Sequence, residues 1–250
     1  MEHPHATTAP AERFTAPGGW WHGLRYGLLG LPLAFVALPL YVVLPNHYAR
    51  SFAVPLAALG MVLLAARLFD AVLDPWIGRW VDRLFARSHR RVLSVGAAAA
   101  VVLTLGLWGL FFPPTAVRGD VTALLTWAGA LMAVTYTAYS VASVAHQTWG
   151  TRLGGTEPQR SRISAWREGL ALVGVLTAAV LPGTLGLGAT VLAFAALLAL
   201  GWWAWSGAVV PTVRGLTLGV LARAHPLRQP RFLRLLAVFV VNGTASAVPA

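Results

Sequence analysis
The chain has 250 residues, 57% of them hydrophobic and 11% charged, with no cysteine. A mean hydropathy of +0.67 with charge this sparse indicates a polytopic membrane protein and excludes a soluble domain. The lack of cysteine excludes disulfides, thiolate metal sites and cysteine nucleophiles.

Residues 1–19, rich in Pro, His, Ala and Thr, show no apolar period and read as a disordered cytoplasmic lead. They lack the basic-then-apolar order of a signal peptide. Apolar stretches lie at about 21–44, 54–77, 92–112, 121–145, 164–181 and 189–209, with another from 232 onward. Each approaches the ~20 residues with which a helix crosses a ~30 Å hydrocarbon core. The expected organisation is a six-helix transmembrane bundle over 20–210, arranged as two inverted three-helix repeats. A cytoplasmic linker over 211–230 comes next, with a short amphipathic helix near 216–224. Residues 231–250 start a seventh helix, within which the chain is expected to end.

The formal net charge is +11, and all 19 basic residues are arginine. Sixteen of them fall at the N-terminus or in the second, fourth and sixth loops. Arg50 and Arg118 lie in the alternate loops, and Arg67 lies inside a span. This asymmetry puts the N-terminus in the cytoplasm, with a bacterial inner membrane as the expected location. The cationic excess is a topology signal, and no nucleic-acid partner is expected.

The second stretch carries charge where lipid forbids it: Ala66-Arg67-Leu68-Phe69-Asp70-Ala71-Val72-Leu73-Asp74-Pro75. A charge at mid-bilayer costs on the order of 2.5–3.5 kcal/mol by insertion scales. Arg67, Asp70 and Asp74, at i, i+3 and i+7, fall within roughly 60° of one helix face. The two carboxylates repel unless one is protonated, paired, or sharing a cation. Asp70 is thus either a cation ligand or the ion-pair partner of Arg67. Asp74 is either a second ligand or the cap of a helix restarted at Pro75. Downstream, Gly78 permits close helix approach, and Asp82 with Arg83, Arg90 and Arg91 is read as a charge network holding one conformation; topology alone is the other reading of these arginines.

The fourth stretch presents Tyr136, Ser140, Ser143 and Gln147 as one polar stripe, flanked by Thr137 and His146. Such a stripe faces a neighbouring helix or a cavity. Ser143 with His146 is the one nucleophile–base spacing in a span, and it lacks an orienting third group. No Gly-rich phosphate loop appears. The chain is therefore read as a non-enzyme.

Arg-x-x-Asp-Ala-x-x-Asp-Pro-x-x-Gly-x-x-x-Asp-Arg, spanning Arg67 to Arg83, resembles the second-helix signature of the glycoside–pentoside–hexuronide:cation symporters, melibiose-carrier-like members of the major facilitator superfamily. Tyr26-Gly27, the fourth-loop run from Glu157 to Glu168, and Asn242-Gly243 through Pro249 are similar to other pieces of that family. The resemblance implies an all-α facilitator fold of twelve helices, of which this chain holds the first six and part of the seventh. It implies symport of a sugar or glycoside-like solute with sodium or a proton, and no other cofactor. It implies a cation site at Asp70 and Asp74 with Thr137 nearby. Solute-facing candidates are Tyr26, Tyr136, Ser140, Ser143 and Arg167, with Arg67 joining Gly78 and the Asp82 network. Where the melibiose carrier holds sugar with carboxylates on its first and fourth helices, this chain has Ala34 and Ser140. No ionisable group is expected on the first helix after Tyr26. A lysolipid or other amphiphile carrier and a non-transporting membrane fragment remain alternatives. The expected partners are the bilayer, a small solute and a missing C-terminal half, without which no uptake is expected.

Overall fold
The computed structural model describes residues 10–211 and, beyond them, Pro230, Leu233, Arg234, Ala237 and Val238. The seventh helix, the linker and the amphipathic helix near 216–224 expected from the sequence lie outside the described residues. The chain divides into a compact unit, Met1–Val213, and a smaller one, Arg214–Ala250; the helices below belong to the first.

Three prolines break the first span into α1 (Trp20–Gly27), α2 (Gly30–Phe35), a π-helical turn (Pro39–Val43) and α3 (Leu44–Phe52). Proline lacks the amide that the ladder needs and crowds the preceding turn, so the turn at Pro39 opens to the wider π form. Ala53 ends the span in the left-handed region (φ 52), and Pro55 starts α4 (Leu56–Arg87). Pro75 lies inside α4 and does not divide it. The expected helix restart there does not occur, so Asp74 is not a cap. The other two helices before the fourth loop are capped by side chains. Ser88 accepts from the Arg90 amide at the start of α5 (His89–Phe111). After the short α6 (Thr115–Arg118), Asp120 accepts from the amides of Thr122 and Ala123 at 3.2 and 3.0 Å, opening α7 (Val121–Arg152). This satisfies donors that a helix start otherwise leaves free.

The last element, α8 (Glu157–Ser206), opens with a capping box of Thr156 and Gln159. It is not one rod. Gly186 has φ 80, ψ 174, a conformation essentially reserved for glycine. A Cβ at Gly30 would strike Arg167, and one at Gly201 would meet Leu28 and Leu29. Residues 167 and 201 therefore lie at one level beside the first span, and α8 is a hairpin folded at Gly186. Its two arms are the fifth and sixth spans. Six crossing-length helices result, without a strand among the described residues.

Helices α4 and α7 have 32 residues each, about 48 Å at 1.5 Å per residue. They outrun the ~30 Å hydrocarbon layer, so each helix continues past the expected spanning stretch. The added turns carry Asp82, Arg83 and Arg152. The lead is also more ordered than expected. Pro10–Phe14 forms a short 3-10 helix whose Phe14 is fully buried against Tyr26, because an apolar ring beside the bundle end gains more from burial than from solvent.

Candidate functional site
The polar residues inside the bundle gather where α4, α7 and the first span meet. Asp70 is buried at 6% exposure, and its Oδ1 accepts a 2.8 Å hydrogen bond from Ser140 Oγ. The helical stripe on α7 and the charged stripe on α4 thus face one another. Such a bond lowers the cost of keeping a carboxylate out of water. Arg67, one turn away on α4, forms no ion pair with Asp70 among the described residues. Its guanidinium carbon instead lies 4.2 Å from the Tyr41 ring and 5.8 Å from the Tyr136 ring, a cation–π seat. The two tyrosine rings are 5.9 Å apart. Tyr136 is 1% exposed, and its hydroxyl has no hydrogen-bond partner among the described residues.

Tyr41 corrects the expectation for the first helix. That helix was expected to offer no ionisable group after Tyr26, yet the π turn at Pro39–Val43 presents this phenol to Arg67. An extra residue in one turn rotates the side chains beyond it, which a strict 3.6 period does not reveal.

The remaining candidates separate into different places. Asp74 is exposed on the face of α4 that holds Arg67 and Asp70. Ser143 accepts from Gln147 Nε2 at 3.0 Å within α7. Thr137 has its hydroxyl bonded to the Ala133 carbonyl of its own helix and lines an apolar groove with Phe69, Val102 and Val141. One residue along a helix is a rotation of roughly 100°, which separates Thr137 from its neighbour Tyr136.

Tyr26 and His146 form a buried clamp rather than a solute surface. Tyr26 donates to the His146 carbonyl at 3.2 Å, His146 Nε2 contacts the Tyr26 carbonyl oxygen at 2.8 Å, and the rings stack at 4.6 Å. The pairing of Ser143 with His146 is thereby superseded, since His146 is committed to the first span. Arg167 pairs with Glu168 (Nε–Oε1 3.0 Å) and packs its stem on Gly30.

The charge network takes a different form from the one expected. Asp82 pairs with Arg152 at the end of α7, Nη2–Oδ1 2.8 Å, and Arg152 also covers the Phe85 ring at 4.8 Å. Arg83, Arg90 and Arg91 are exposed and make no ion pair among the described residues. Arg67 belongs to the tyrosine pair instead. A Cβ at Gly78 would meet nothing within 4 Å, so no neighbouring described helix exploits its small size. Arg152 carries no signal in the sequence because its partner lies 70 positions away. No three His, Asp or Glu side chains converge as metal ligands among the described residues.

Residues 25–248 match the family model described as MFS/sugar transport protein. The chain belongs to this family. It is thus an integral, multi-pass major facilitator protein, a transporter that sits in a bilayer and handles small solutes. No curated protein matches the chain.

Proposed function
We propose that this major facilitator protein is a symporter that couples sodium or proton movement to uptake of a sugar or glycoside-like solute, with Asp70 as the central coupling residue. The observation that carries the reading is the buried Asp70 carboxylate held by Ser140 across two spans. Asp74 lies one turn along the same face, so two carboxylates and a hydroxyl are available to a small hard cation. The absence of an Arg67–Asp70 ion pair among the described residues weakens the purely structural role for Asp70. The similarity of the Arg67–Arg83 segment to the glycoside–pentoside–hexuronide:cation symporters supports cation coupling. The arginine distribution supports an N-terminus on the cytoplasmic side, with a bacterial inner membrane as the proposed setting.

The test is Asp70→Asn in vesicles that hold the chain together with the C-terminal half that uptake is expected to need. The amide keeps shape and much of the hydrogen bonding but removes the charge that a cation needs. Sodium- or proton-driven accumulation is expected to disappear while expression and helicity stay unchanged. Concentration of solute against its gradient by the Asn variant, or gradient-insensitive uptake by the unaltered protein, would falsify the coupling role.

A further inference from the structure
On the flank of α7 beside its Asp70-facing stripe, a groove of about 470 Å³ runs between α4 and α5 with α7 as its floor. Phe69 and Trp80 line one wall, Val95, Ala98 and Val102 the other, and the one polar lining residue, Thr137, has its hydroxyl bonded to its own helix. A sugar, which needs several hydrogen-bonding partners, would find little there beyond the indole N–H of Trp80. From Phe69 to Trp80 the groove follows eleven residues of α4, about 16 Å, a length that suits one acyl chain.

Both walls lead to arginine. At 100° per residue, Phe69, Trp80, Arg83 and Arg87 lie within roughly 60° on α4, and Arg91, Val95, Ala98 and Val102 within roughly 60° on α5. Arg83, Arg87 and Arg91 are all exposed. The one carboxylate at this end of α4, Asp82, is already engaged by Arg152. The apolar groove therefore opens onto a positive cluster with no ion-pair partner among the described residues, and the indole of Trp80 sits on the wall below it, where an amphipathic ring suits a membrane interface.

We propose that this groove is a binding site for an anionic phospholipid of the surrounding bilayer, one acyl chain between α4 and α5 and the phosphate on Arg83, Arg87 and Arg91. The arginines supply headgroup attraction, and the alanine-lined trough supplies chain selectivity that a bare basic patch lacks. The proposal does not depend on the transport reading.

The experiment is native mass spectrometry of the delipidated protein titrated with phosphatidylglycerol or phosphatidylcholine. One phosphatidylglycerol is expected to bind in clear preference to phosphatidylcholine. Arginines near a membrane surface contribute roughly fivefold each, so joint Arg83→Gln, Arg87→Gln and Arg91→Gln replacement is expected to weaken phosphatidylglycerol about 100-fold. Replacing Arg160 and Arg162 by Gln is expected to leave the preference intact. Ala98 is exposed in the groove wall, so Ala98→Trp fills the trough without entering the core and is expected to abolish retention of that lipid. Equal binding of the two lipids by the unaltered protein overturns the proposal. So does a phosphatidylglycerol preference that Ala98→Trp leaves untouched, which marks a headgroup patch without a groove. Should the triple variant fail to fold, those two comparisons still decide.

Discussion

The Ser140 hydroxyl is spent on Asp70 at 2.8 Å. Replacing Ser140 by alanine leaves a buried carboxylate oxygen without its donor. Ser140→Ala is expected to cost about 1.5–3 kcal/mol, the range for a hydrogen bond to a charged group, read as a lowered thermal midpoint in detergent. If Asp70 is the coupling residue, the same variant weakens the dependence of uptake on the driving cation; a stability loss with unchanged cation dependence would separate the two roles. Tyr41→Leu tests the neighbouring seat. It removes one face of the Arg67 cation–π pair, and a loss of about 0.5–2 kcal/mol is expected from chemical unfolding followed by tryptophan fluorescence; an unaltered midpoint would show that Arg67 is held by other means. The Asp70 position is legible in the sequence because charge inside an apolar run demands an interior partner. Tyr41 is not legible, since an aromatic in an apolar helix gives no polar signal and its direction depends on the π turn.

At the scale of elements, α4 shows what periodicity captures and what it leaves out. The stripe of Arg67, Asp70 and Asp74 is predictable from 3.6 residues per turn, and so is its meeting with the Tyr136–Ser140 stripe on α7. Pro75 is a false start signal. A proline in a long helix flanked by packed neighbours bends or loosens the ladder without ending it. For Thr137, which resemblance ties to the cation site, the hydroxyl is bonded within its own helix. The fold in α8 depends on one residue with φ 80, ψ 174. Gly186→Ala is expected to destabilise the hairpin by about 1–3 kcal/mol, measurable as a lower midpoint, whereas Gly183→Ala, where a Cβ meets nothing within 4 Å, serves as a near-neutral control. Equal effects at the two positions would contradict the strained turn.

For the whole molecule, the Asp82–Arg152 pair joins the ends of the two longest unbroken helices on one side of the bundle. Its Asp82 side chain is 57% exposed, so its direct contribution to stability is small, about 0.2–1 kcal/mol as for exposed pairs generally. Its expected effect is on the balance between transport conformations. Asp82→Arg is expected to slow uptake with little change in midpoint, and Asp82→Arg combined with Arg152→Asp to restore it; failure of the double exchange would make the contact incidental. The fold in α8 has a further bearing on how the molecule is built. From Leu181 to Gly188 the chain reads Leu-Pro-Gly-Thr-Leu-Gly-Leu-Gly, with no charged residue to anchor a turn in water. The fifth and sixth crossings leave the ribosome without a hydrophilic separator between them, so neither is retained by a loop while the other waits. Insertion of the two as a paired unit is the expected consequence.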